Sequence, residues 1–148
     1  MAVKPIIRVD DTKLQSWLRD QDIRSEESLR FFQDEGSQLV MTEMRQQAPI
    51  KRGFLRESIT TYMTGDGFTV YPAAPYAVAV EKGVGPRTIF PVRARVLRFE
   101  TEAGAVIFAR YVKHPGFPGR FFVRATAEAV RQQLRDLVES ILRRLYGG

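Results

Sequence analysis

The chain has 148 residues, 44% apolar and 27% charged, with a formal net charge of +6; these values fit one globular domain, residues 1–148, with a core of its own. No stretch approaches the ~18 consecutive apolar residues of a membrane span, and residues 1–5 lack the apolar run of a secretory signal, so a water-soluble protein assembled in a cytoplasm is expected. With no cysteine and His114 as the single histidine, disulfides, thiolate chemistry and Cys/His metal centres are excluded, and no cofactor is expected.

The charge is uneven. Residues 1–50 carry a net −2, residues 51–86 +1, residues 87–124 +6 and residues 125–148 +1. A basic stretch of that kind attracts nucleic acid or meets an acidic surface on a neighbouring subunit. Of the 23 basic residues 18 are arginine, a composition suited to bidentate interfacial pairing.

In chain order, Ile6–Val9 reads as a short strand. Thr12 then caps a helix with Leu14, Trp17 and Leu18 on one face. Ser25, Glu26 and Glu27 start a second helix, since a hydroxyl and early carboxylates suit the positive end of the helix dipole. Leu29, Phe32, Gly36, Leu39, Val40 and Met44 continue its apolar stripe to Ala48-Pro49. The character changes at Lys51-Arg52-Gly53, and Ser58–Met63 and Phe68–Tyr71 form a hairpin across Thr64–Gly67. Pro72–Pro75 ends it. Tyr76–Lys82 fits either a buried helical segment or another strand.

A loop with two glycines and two prolines, Gly83–Pro91, leads into a second hairpin, Val92–Glu100 and Ala105–Lys113, joined by Thr101–Gly104. Its second strand, Val106–Val112, is apolar on both faces except at Arg110, so helices are expected to cover it on both sides. His114–Gly119 is another dense turn. From Phe122 to Leu145 the apolar positions trace a long amphipathic helix. The expected fold is α+β: amphipathic N-terminal helices, a small, mainly antiparallel sheet of about four strands, and a long C-terminal helix packed on it.

Residues able to carry chemistry are few. There is no phosphate loop and no nucleophile elbow. His114 has no serine or cysteine motif beside it and directly precedes Pro115-Gly116, which makes it a turn histidine hydrogen-bonded to backbone. Glu81 follows the apolar run Tyr76–Val80 without a second carboxylate; it is read as capping the turn, exposed or paired with Arg52, Arg56 or Arg87. The basic run comprises Arg87, Arg93, Arg95, Arg98, Arg110, Lys113, Arg120 and Arg124, with Arg93 and Arg95 at strand spacing on one face. Interleaved with Phe90, Phe99, Tyr111 and Phe117, it has the look of a single-strand nucleic-acid surface. The neighbouring Val92, Val96, Leu97, Ile107 and Phe108 favour placing those rings in the core.

Three elements of the middle of the chain carry a family resemblance. Ala48–Ile59 (APIKRGFLRESI) resembles the helix exit of the tailed-phage neck and tail-completion proteins, the head-to-tail joining or minor tail components, with Arg52 where threonine is usual. Tyr76–Gly83 (YAVAVEKG) resembles that family's second element, with Val84 replacing a common threonine. His114–Phe122 (HPGFPGRFF) resembles the third, a turn leading into aromatics and the terminal helix. The resemblance implies a non-catalytic virion protein in the neck or at the head-proximal end of the tail. It further implies a homo-oligomeric ring, a hexamer or a dodecamer, between head-completion or portal-side connector proteins and the tail terminator or tail tube, with nonspecific contact to packaged DNA. The docking candidates are Arg52, Arg56, Glu81, Arg87, Arg93, Arg95, Arg98, Arg110, His114, Phe117 and Arg120. Rings need two different complementary patches per subunit, which the acidic N-terminal helices and the stretch from Arg87 to Arg124 supply. The competing reading is a small basic nucleic-acid-binding protein or toxin-like ribonuclease; a third, an enzyme using Glu81 and His114, requires a pocket uniting the two.

Overall fold

The computed structural model describes residues 5–10, 12, 16, 25–65 and 67–146. The expected helix carrying Leu14, Trp17 and Leu18 lies outside the described residues. The rest is α+β: two long helices against a small antiparallel sheet, and a β-ribbon arm inserted between the sheet and the last helix.

Helix α1, Ser25–Gln47, carries Glu26 and Glu27 in its first turn. Its stripe Phe32, Gly36, Val40 and Met44 is buried, as three- and four-residue steps require of a helix with one covered face. Gly53, with φ 80°, turns the chain into the short helix α2, Phe54–Glu57. Strand β1, Ile7–Asp10, and strands β2, Ile59–Thr64, and β3, Gly67–Pro72, form one sheet in the order β1-β3-β2. The hairpin is tight, with Thr64 opposite Gly67. Central β3 buries Phe68, Thr69 and Val70. Phe68 lies against α1, where the missing side chain of Gly36 makes room for its ring, and Phe32 meets it at a centroid distance of 6.0 Å.

The segment 76–82 resolves as a helix, α3, Ala77–Lys82. The chain ends in α4, Phe122–Tyr146, packed along α1. Phe122, Val130 and Ile141 of α4 complete the core with Met44, Leu55, Ile59, Phe68 and Val70.

Between α3 and α4 the second hairpin departs from expectation. It contributes no strand to the core sheet and runs as a separate ribbon in three ladders: β4, Gly83–Val84, with β9, Phe117–Pro118; β5, Arg87–Ile89, with β8, Val112–His114; and β6, Leu97–Glu100, with β7, Val106–Ala109. The first two ladders share one register, Gly83 opposite Pro118 and Arg87 opposite His114. The seven residues 90–96 then face only the two residues 110–111 before pairing resumes at Leu97 and Ala109. The tip closes at Thr101–Gly104, where Gly104 takes φ 81° and the Gly104 amide donates to the Thr101 carbonyl.

Candidate interaction surface

The root of the arm is where the three family-like elements meet. The Ser58 hydroxyl accepts the Ala74 amide and donates to the Leu55 carbonyl, and Phe54 stacks near Tyr76 at 6.1 Å, so the helix exit abuts the start of α3. The far end of α3 abuts the third element through glycines. A Cβ on Gly83 would stand 2.5 Å from the Gly119 nitrogen, one on Gly119 would stand 2.5 Å from the Glu81 carbonyl, and one on Gly116 would overlap the Val84 carbonyl. Gly83 and Gly116 also take φ 80°. Backbones this close admit no side chain.

Glu81 does not pair with Arg52, Arg56 or Arg87. Its carboxylate is buried and accepts the amides of Val123 at 2.9 Å and Arg124 at 3.2 Å. Phe121 accepts the Ala125 amide and so stands as the first cap of α4, but its side chain has no oxygen for the next free amides. Glu81, 42 residues from Val123, supplies it instead, placing a carboxylate at the positive end of the helix dipole. Phe121 itself takes φ 49°, a conformation uncommon outside glycine. His114 meets its expected role: Nδ1 accepts the Gly116 amide at 2.9 Å, and Phe117 packs edge-on to the imidazole at 6.3 Å. Both groups are committed to backbone.

From Lys82 to Phe121 no residue is buried. The rings expected in the core are therefore outside it: Phe90 is 64% exposed, and Phe99, Tyr111 and Phe117 are exposed as well. The strand expected to be covered on both faces divides into β7 and β8, and Val106, Ile107 and Phe108 are exposed, Phe108 to 63%. Among the described residues no helix covers them, because α1 and α4 spend their apolar stripes on each other and on the three-stranded sheet. Val92, at 96% exposure, Val96 and Phe108 are surface residues that the pattern assigned inward; the available signal was the arginine interrupting the apolar run every few positions.

The arginines divide by place. Arg87 and Arg98 lie on β5 and β6, Arg110 at the inner side of the bulge and Arg120 at the arm's base, all exposed. Arg93 and Arg95 belong to the bend 92–96 instead of a strand, so strand alternation does not set their common face. Among the described residues none of these six forms an ion pair; the ion pairs present join Arg30 to Glu26, Arg124 to Glu128 and Arg143 to Glu139. Arg52 is exposed at the helix exit, and Arg56 is half-buried beside Thr42, Arg45 and Gln46. Among the described residues no group of three His, Cys, Asp or Glu side chains could hold a metal ion, and no helix is long and apolar enough to cross a membrane. Compared with protein-family models, curated proteins and solved structures, the chain matches none.

Proposed function

We propose that this chain is a non-enzymatic, ring-forming subunit of a tailed-phage neck or head-proximal tail, joining head to tail. The observation that carries the reading is the arm, about forty residues without one buried side chain, bearing Phe90, Val92, Phe99, Val106, Ile107, Phe108 and Tyr111 at the surface. Apolar area of that extent is a surface to be covered by another chain. The meeting of the family-like elements at the arm's root supports the resemblance, because glycine contacts and a remote helix cap account for their spacing. Glu81 and His114, the two side chains best suited to catalysis, are already engaged by backbone amides. Partners on this reading are copies of the chain, portal-side connector or head-completion proteins and the tail terminator or tube. Electron microscopy of the purified protein and of particles is the test: closed rings at the neck are expected, and a compact monomer found off the particle would overturn the reading.

One observation favours nucleic-acid contact as a second reading: Phe90, Phe99 and Tyr111 are exposed beside unpaired arginines, so the rings are available for stacking. The exposed aliphatics Val92, Val106 and Ile107 count against it as the main role, since phosphates and bases cover them poorly. Binding to single-stranded or duplex DNA that falls steeply with salt is expected if the arm is a nucleic-acid surface; no binding at low salt removes that reading.

A further inference from the structure

The ring reading leaves open which surface of the neighbouring copy receives the arm, and the following rests on that reading. Directly opposed residues of an antiparallel pair share a face. Leu97 with Ala109 and Phe99 with Ile107 therefore make one wholly apolar face of the β6–β7 ribbon, and Arg98 with Phe108 and Glu100 with Val106 make the other. A two-stranded ribbon is marginal alone in water, so its apolar face calls for a layer against it.

Two clefts of the body, lined by described residues, are large enough to consider. One of about 570 Å³ lies between β1 and α4, where, among the described residues, Arg131 and Arg135 stand beside the carboxylate Glu139, a poor match for an arginine-rich arm. The other, about 460 Å³, runs between α1 and α4, with Leu39 and Leu137 flanked by Glu35 and Glu43. Neither of these two glutamates forms an ion pair among the described residues. At Thr42 and Gln46 this groove continues toward Arg45 and Arg56, and Arg56 Nε is buried with no hydrogen-bond partner. Its charges thus run from acidic to basic. Along the arm the order is the opposite, Arg93 and Arg95 in the bulge and Glu102 in the tip turn.

We infer that the β6–β7 tip of one copy lies in the α1–α4 groove of a second copy. Its apolar face covers Leu39 and Leu137, Arg93 and Arg95 meet Glu35 and Glu43, and the tip turn points toward Arg45 and Arg56. The contact joins two different patches, so it propagates from copy to copy and gives a ring where the rotation between copies closes.

Two surface variants test this: Arg93→Glu with Arg95→Glu, and Glu35→Arg with Glu43→Arg. Light scattering after size exclusion and negative-stain microscopy read assembly, and circular dichroism melts read the fold. Each variant alone is expected to melt as the wild type does yet lose rings, whereas an equal mixture, or one chain carrying all four changes, regains them. Phe99→Ser with Ile107→Ser, which leaves every charge in place, should lose rings without rescue by mixing. Rings that persist in either charge variant, or a mixture that stays monomeric, overturn the inference while leaving the ring reading standing. A wild-type chain that never self-associates, alone or on the particle, removes both.

Discussion

The body and the arm are built from similar residues and end in opposite states. Between Ser25 and Pro72 the apolar positions recur with helix or strand period, and Phe32, Val40, Met44, Ile59, Phe68 and Val70 are all buried. Between Gly83 and Pro118 valine, isoleucine and phenylalanine are more frequent still, yet none is buried. Apolar content drives burial only where the topology brings a second layer to it, and the arm has two strands with no second layer among the described residues.

The comparison breaks first at the core. Phe68→Ala removes a fully buried ring, and denaturant unfolding should show a loss of about 3–5 kcal/mol. Glu81→Ala comes next: it leaves two amides at the start of α4 without their acceptor, a cost of about 1–3 kcal/mol read in the same titration. Glu81→Gln, which keeps one acceptor oxygen, should recover part of that loss. Gly36→Ala follows, since its Cβ would approach Phe68 Cε1 to 2.9 Å inside a packed core; overpacking of about 1–3 kcal/mol outweighs a helix-propensity gain of about 1 kcal/mol, and Tm should fall. Smallest of all, Phe108→Ala removes as many ring atoms as Phe68→Ala from a site with no core around it. Monomer stability should stay within about 0.5 kcal/mol, and a larger loss would mean that the arm packs on its own body in solution.

The two long helices were legible because a stripe such as Phe32, Gly36, Val40 and Met44 fits one period. The first hairpin was legible because Thr64-Gly65-Asp66-Gly67 leaves few ways to join its strands. The arm was legible as strands but not as an arm, since Val106–Phe108 read alike whether the covering layer belongs to the same chain or to another. Arg93 and Arg95 failed for a local reason: strand spacing holds only while the ladder is unbroken, and no residue pattern announced that seven residues would face two. The Glu81 cap was half legible. Its position before Gly83 marked a turn, but its partners lie 42 and 43 residues onward, beyond any spacing rule. The α1–α4 groove needed both helices in place.

The pinning of the arm at its root has a consequence in polymer terms. Glu81 on the Val123 and Arg124 amides and the Gly83–Gly119 approach fasten both ends of the inserted segment to the body. Everything between behaves thermodynamically as a closed loop, and closure entropy grows only with the logarithm of length, ~0.6 kcal/mol for each doubling. An arm several residues longer or shorter leaves the folding equilibrium of the body almost untouched. Its reach is therefore free to change with the distance it must span, while the helices and the core sheet keep one geometry.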